Sequence, residues 1–371
     1  MDLQGQNGLL STYREPHRTR GVSAFVVAFG LMGFYAALYF TDTFEPIARS
    51  LGLRNKWFIY GALYSVAMIT GAVLHLRRHG NSRYTRFRIG TNVGVQVLLA
   101  FCLPFVMGMF EQPEFYVSYL WPLDIYKLYP QTLESLPPYL AVYCVVGSLV
   151  LAPVLALVLG KRWYCSWVCG CGGLANTFGD PYRHLTSSTE ASWRFEKVSI
   201  RVVLAVAILT TALVGLDFAV GARHRDLHRW VSGALFHAPL IGAVSIKSSY
   251  GFVVGSLLAG VFGTGLYPLL GPRTWCRNFC PMAAILGIVQ KFGRFRIRVQ
   301  KDTCISCGNC TTYCEMGIDV RGYAQRNESF VRESCVGCGM CAHVCPRGVL
   351  RLENVSAGDS ESRRRLPVVR A

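Results

Sequence analysis

Tyr139–Leu159 reads YLAVYCVVGSLVLAPVLALVL, and the chain runs on through Gly160-Lys161-Arg162-Trp163-Tyr164-Cys165-Ser166-Trp167-Val168-Cys169. The first part carries no charge over the ~20 residues that a helix needs to cross the hydrocarbon of a bilayer. The second part ends that run with two cations and a Cys-x3-Cys spacing. The pattern returns later in the chain. Phe252–Leu270 is followed by Arg273-Thr274-Trp275-Cys276-Arg277-Asn278-Phe279-Cys280, and Cys276 lies 111 residues beyond Cys165. Each unit is a helix pair that ends in a cysteine turn at one membrane surface. Two such units predict a pseudo-symmetric core of four helices.

Working outward, four more stretches are long and apolar enough to span: Val22–Phe40, Trp57–Leu76, Ile89–Phe110 and Ile200–Val220. The expected fold is therefore a mainly α membrane protein with six transmembrane helices, the first two added to the four-helix core. The polar N-terminus with its long first apolar run reads as a retained span rather than a cleavable signal. Hydrophobic residues make up 52% of the chain and the mean hydropathy is +0.32, above the range of ordinary soluble domains.

The net charge of +17 lies mostly beside the apolar runs, which argues for membrane topology and against nucleic acid. Arg14, Arg18 and Arg20 precede the first span. Arg77, Arg78, Arg83, Arg86 and Arg88 follow the second, and Lys161, Arg162, Arg183, Arg194 and Lys197 follow the fourth. Arg273, Arg277, Lys291, Arg294, Arg296 and Arg298 follow the sixth. With six spans all four segments share a side, and the positive-inside rule makes it the cytoplasm of an inner membrane, with both termini there. Arg223, Arg225 and Arg229 dissent from the opposite side. The loop Glu111–Pro138 carries Tyr116, Tyr119, Trp121, Tyr126 and Tyr129 with Glu111, Glu114, Asp124 and Glu134. Such aromatics favour the headgroup layer, so the loop is expected along the outer membrane surface.

Beyond Val299 the chain turns soluble and cysteine-rich. Cys304-x2-Cys307-x2-Cys310-x3-Cys314 is followed by Cys335-x2-Cys338-x2-Cys341-x3-Cys345-Pro346. This spacing, given twice, is that of a two-cluster bacterial ferredoxin, in which the fourth cysteine of each run ligates the other cluster. It assigns Cys304, Cys307, Cys310 and Cys345 to one [4Fe–4S] cluster, and Cys335, Cys338, Cys341 and Cys314 to a second. A pair of zinc sites is the alternative, but zinc sites seldom repeat a third cysteine at this interval. Glu315 stands where proline usually follows the fourth cysteine. Domain boundaries follow: 1–21 a cytoplasmic segment, 22–88 two added helices, 89–297 the four-helix core, 298–355 a small α+β cluster module and 356–371 a disordered tail.

Cys165, Cys169, Cys276 and Cys280 are expected to converge at the cytoplasmic face as a redox or metal site, the plain alternative being structural cysteines packed beneath the clusters. Pro281 places Cys280 at a helix N-terminus, which favours a thiolate. Cys171 reads as a fifth thiol or as a small residue in a tight turn, and Cys102 and Cys144 as mid-helix packing. His224, His228 and His237 share an outer loop, and His75 and His79 a basic helix end; no pair on facing helices suits haem. Asp217, an acid in the outer part of a span, is a candidate proton-handling residue, against an ordinary interfacial carboxylate.

At these cysteines the chain resembles the NapH/NosR-type membrane polyferredoxins, from about Tyr84 to Glu353, in the simpler NapH-like form with two extra N-terminal helices. The resemblance implies electron passage between the quinone pool and a partner redox protein or reductase subunit, or a part in reductase maturation; a related branch reduces copper. Gly170 departs from the proline expected after the first cysteine turn, which puts that turn's geometry at issue. The expected function is thus membrane-bound iron–sulfur electron transfer, as a component of a membrane oxidoreductase. Redox sensing, maturation of another metalloenzyme, or copper reduction at the quartet are the other classes. Lipid and quinone or quinol are the expected small partners.

Overall fold

The computed structural model describes residues 22–53, 55–80, 82–221, 239–241, 244–245 and 249–355. The N-terminal segment, the basic loop with Arg223, Arg225, Arg229, His224, His228 and His237, and the tail from 356 lie outside the described residues.

The chain is mostly helical. Among the described residues, five helices are long and apolar enough to cross a membrane: α1 (Val22–Phe40), α2 (Lys56–His79), α3 (Arg83–Met109), α4 (Pro138–Leu159) and α5 (Glu190–Val220). The sixth expected span is shorter. Its apolar helix α6 covers Gly251–Gly265, and the chain restarts as a separate turn at Tyr267–Leu270 with proline at its beginning. Gly263 and Gly265 form its last turn, where Trp275 and the α1 side chain Met32 leave no room for Cβ atoms. Lipid-facing positions are evident from outward side chains such as Phe29, Leu63, Val66, Leu149, Val202, Leu209 and Leu216. Several cations expected in connections lie instead in helical first turns. Ser82 caps α3, its hydroxyl accepting from the Thr85 amide at 3.4 Å, so Arg83, Arg86 and Arg88 are helical. Arg194 and Lys197 likewise belong to α5.

The added helices do not stand apart. α1 packs along α6, where its Tyr39 ring fills the space beside Gly260. α2 packs along α3 and against the short helix Gly170–Asn176. The helix α7 (Pro281–Gln290) packs against α4 and α5 and carries the chain into the cysteine-rich module. That module holds one antiparallel pair, Phe295–Val299 with Leu350–Asn354, in register from Phe295 opposite Asn354 to Val299 opposite Leu350. The strands bury Phe295, Ile297, Val299 and Leu350 in one continuous core with the membrane-side residues Trp163, Tyr164 and Trp275.

The loop after α3 packs onto the helices through part of its length. Leu120, Ile125 and Tyr129 are buried in the main core. Trp121 donates from its backbone amide to the Ser148 hydroxyl and from its indole to the Thr211 hydroxyl, at 2.8 and 2.9 Å. Tyr250 and Tyr126 tie the loop to the start of α6. Buried aliphatics and hydrogen-bonded ring donors hold that part in place, so the loop plugs the bundle's end.

Candidate functional site

The two Cys-x3-Cys turns are built alike, residue for residue. Gly160 and Gly271 end their helices in left-handed backbone, at φ of 71° and 92°, and both glycine amides close onto the carbonyl four residues back. The Tyr164 carbonyl accepts from the amides of Val168 and Cys169; 111 positions later the Trp275 carbonyl accepts from Phe279 and Cys280. Cys169 and Cys280 then each begin a helix from extended backbone. Gly170 therefore leaves the first turn's path intact despite replacing proline.

The structure brings the turns together. Arg273, fully buried, donates from Nη1 to the Cys165 carbonyl at 3.1 Å and lies 3.8 Å from the Cys276 sulfur with the same atom. Cys280 feels the charges of Cys276, Cys165 and Cys169. Burial pushes the Cys165 thiol up to about 12 and raises Cys276 and Cys280. Cys169 moves the other way, to about 7, because the Cys171 thiol hydrogen-bonds to it, against the cost of burial, with help from the Gly172 and Cys171 amides. Cys171 is thus part of the set, a role its spacing left open. Cys102 and Cys144 stay elsewhere, in α3 and α4.

Two further pockets are walled by cysteines. One is lined by Cys304, Cys307, Cys310 and Cys345, with Ile305, Ala324, Pro346 and Val349 around them. The other is lined by Cys314, Cys335, Cys338 and Cys341, with Ile297, Met316, Val336 and Phe330. In each, the fourth thiol comes from the opposite run. Burial raises Cys310 and Cys314 to about 12 and Cys335 to about 11, so these are protonated thiols until a cation draws off the proton. Four convergent sulfurs in an apolar wall fit a cubane iron–sulfur cluster and suit no hard, oxygen-seeking ion.

The second pocket is joined to the cysteine turns. Glu315, adjacent to Cys314 and completely buried, meets Arg273 Nη2 at 3.1 Å and Arg183 Nη1 at 2.9 Å. Burial alone would raise its pKa, but the two guanidiniums hold the carboxyl down at about 2. Arg183 also holds Asp180, at 2.5 Å. Four more bonds pin the loop that carries Cys335 and Cys338. Tyr84 donates to the Gly337 carbonyl at 2.6 Å, Arg88 to the Cys338 carbonyl at 2.8 Å, Ser166 to the Val336 carbonyl at 2.8 Å, and Gln290 to the Cys335 carbonyl at 3.1 Å.

At the far end of the bundle Asp124 is mostly buried, which raises its carboxyl pKa in spite of nearby Lys127. Asp217 is buried on α5.

Comparison with known proteins agrees with this layout. Residues 297–352 match a 4Fe-4S dicluster domain, and residues 144–187 and 252–300, one cysteine turn in each, match a 4Fe-4S binding domain. YccM of Escherichia coli is 26% identical over 180 residues, 48% of each chain. The methylamine utilization ferredoxin-type protein MauN of Methylorubrum extorquens is 28% identical over 176 residues, 43% of this chain and 49% of that protein. The ferredoxin-type protein NapH of Escherichia coli is 27% identical over 235 residues, 59% of this chain and 74% of that one. The chain spans about half the length of the first two of these relatives. No solved structure gives a match. In the dicluster match, the doubled cysteine turn and these relatives, the chain is similar to the NapH-type ferredoxin proteins.

Proposed function

We propose that this protein carries electrons from a membrane-side cysteine site through a buried iron–sulfur cluster to a second cluster at the protein surface. The observation that carries this reading is Arg273. One guanidinium touches the Cys165 carbonyl, the Cys276 sulfur and the Glu315 carboxylate, so it joins both cysteine turns to the residue beside Cys314. Cys335, Cys338, Cys341 and Cys314 would hold the inner cluster, and Cys304, Cys307, Cys310 and Cys345 the outer one. When bound, each [4Fe–4S] cluster supplies one-electron chemistry. The chain supplies ligands, fixed spacing and a dry, cationic surround from Arg88, Arg183 and Arg273. That surround favours added negative charge and so raises the ease of reduction.

In the same reading the bundle has six spans, with the sixth completed by Tyr267–Leu270. The termini and clusters face the cytoplasm of the inner membrane and the soluble part is a ferredoxin-like module. The electron source is a quinol, oxidised near the plugging loop where Asp124 and Asp217 could take protons. The outer pocket meets a redox partner. The Cys169–Cys171 pair favours a second chemistry beside the quartet: the two thiols would close to a disulfide, losing two protons and passing one electron to each of the two clusters.

The test is anaerobic purification with iron and acid-labile sulfide analysis, then addition of a quinol. About eight iron and eight sulfide per chain are expected, or about twelve of each if the quartet holds a third cubane. Cys307→Ser and Cys338→Ser should each remove one cluster. Zinc without sulfide, or clusters that a quinol leaves oxidised while dithionite reduces them, would end the respective halves of the proposal.

A further inference from the structure

The cytoplasm-facing end of α2 carries a second set of metal-binding side chains, separate from every cysteine. His75 and His79 lie one helical turn apart, 1% and 5% exposed, and Asp180 faces them at 8% exposed. His75 Nδ1 is 3.0 Å from Asp180 Oδ1, and His79 Nε2 is 3.8 Å from Asp180 Oδ2. One donor atom from each of the three lies within 4.8 Å of the other two. His75 Nε2 is buried without a hydrogen-bond partner in the protein.

We propose that His75, His79 and Asp180 bind a divalent transition-metal ion of the zinc or iron(II) class. Metal–nitrogen and metal–oxygen bonds of ~2.1 Å at tetrahedral angles put ligand atoms ~3.4 Å apart; His75 Nδ1 and His79 Nε2 stand 3.0 and 3.8 Å from the two different Asp180 oxygens, so the one carboxylate faces both imidazoles. Two imidazoles and one carboxylate select this class of ion over calcium or magnesium, which take oxygen, and over the soft ions that cysteines prefer. The surround fits the task. Arg183 occupies Asp180 Oδ1 and leaves Oδ2 turned to His79, the arrangement by which an outer partner fixes a ligating carboxylate. Glu315 answers the Arg183 charge, so the guanidinium does not stand unopposed beside a bound cation. The ring of His343, from the second cysteine run, stands edge-on to His79 at 5.6 Å between centroids. The ion would staple α2, one of the two added helices, to the loop at Asp180 and to the inner cluster's run. The site thus gives these helices a use that the electron path does not.

The experiment titrates cobalt(II) into anaerobic holoprotein, its affinity tag removed and its clusters oxidised. Oxidised [4Fe–4S] cubanes are diamagnetic, so the electron paramagnetic resonance of high-spin cobalt stands alone, and pulsed measurements detect imidazole nitrogen. One cobalt per chain with histidine nitrogen coupling is expected. His79→Ala and Asp180→Asn should weaken it by at least about tenfold with iron content unchanged. His79→Gln keeps the side chain's bulk and serves where alanine prevents assembly. Three results overturn the proposal: no stoichiometric cobalt, cobalt with thiolate charge-transfer bands and no nitrogen coupling, or binding that survives both histidine variants.

Discussion

The two cysteine runs of the module are near copies, offset by 31 residues, yet one loop faces outward and the other is pressed into the membrane domain. Their backbones agree closely. Ser306 and Gly337 have φ of 57° and 59°, Gly308 and Gly339 have 83° and 79°, and Gly317 and Gly348 have 61° and 63°. The Cys314 and Cys345 sulfurs each accept from the amide four residues on, both at 3.4 Å. What differs is the side chains. Ile305 is 54% exposed, whereas its counterpart Val336 is 1% exposed. Ser306 tolerates its left-handed backbone in the open; at Gly337 a Cβ would stand 2.9 Å from the Arg162 Cβ. Glu315 is wholly buried among arginines, while Pro346, its counterpart, is exposed. One loop geometry serves both cysteine runs, and the substitutions record which of them is docked.

The largest effect expected from disturbing this contrast is at Glu315. Glu315→Ala leaves Arg273 buried without a carboxylate and Arg183 with Asp180 alone, which costs about 3–5 kcal/mol. Detergent-purified protein should lose the inner cluster's iron, or fail to accumulate. Pro346→Ala at the matching position should hold full iron and shift stability by no more than about 0.5 kcal/mol. Equal iron loss in both variants would show that the arginines do not matter to docking.

Next comes the turn glycine. Gly337→Ala adds a methyl against Arg162 and forces alanine into left-handed backbone, for a cost of about 1–3 kcal/mol. Ser306→Gly relieves the same strain in the open loop and should be neutral or stabilising by up to about 1 kcal/mol. Thermal loss of cluster absorbance measures both, and opposite signs are the expected outcome.

Arg273→Lys comes third. A single ammonium cannot reach the Cys165 carbonyl, the Asn176 amide oxygen and the Glu315 carboxylate together. Removal of buried bonds of this kind costs about 1–3 kcal/mol. Reduction of the inner cluster by quinol should slow while dithionite reduction keeps its rate; an unchanged quinol rate would remove Arg273 from the path.

The smallest structural effect belongs to Ile305→Ala, which touches an exposed side chain and should leave stability within about 0.5 kcal/mol. Its readout is transfer to a partner protein, which should weaken if the outer pocket is the exit. The matching Val336→Ala, in contrast, opens a buried space and should destabilise the module by about 1–2 kcal/mol.

The apolar runs, the doubled turn and the paired cysteine runs could be read along the chain because their signals are local: a length, a spacing, a repeated interval. Even the odd residue, Glu315, was visible as a departure, though its meaning was not. Its partners Arg183 and Arg273 lie far away in the chain, and no periodicity links them. The same holds for His75 and His79, which read as a basic helix end, and whose partner Asp180 lies about a hundred residues further on. The plugging loop was legible only in part for a related reason. Aromatic content signals affinity for an interface, but only packing decides whether Leu120 and Ile125 point into lipid or into the core.

The bonds that seat the inner loop also fix an order of events in biogenesis. Tyr84 and Arg88 reach their acceptors across 253 and 250 residues of chain, so they form only after almost the whole polypeptide has been made. Contacts this distant in sequence close late. By then the helices are already inserted, and the seat formed by Tyr84, Arg88, Ser166 and Gln290 is waiting. Once the loop is down, Val336 and Glu315 are buried against the residues that receive it. A chain cut short before Val336 should therefore insert its helices yet leave Tyr84, Arg88, Ser166 and Gln290 without the carbonyls they bind.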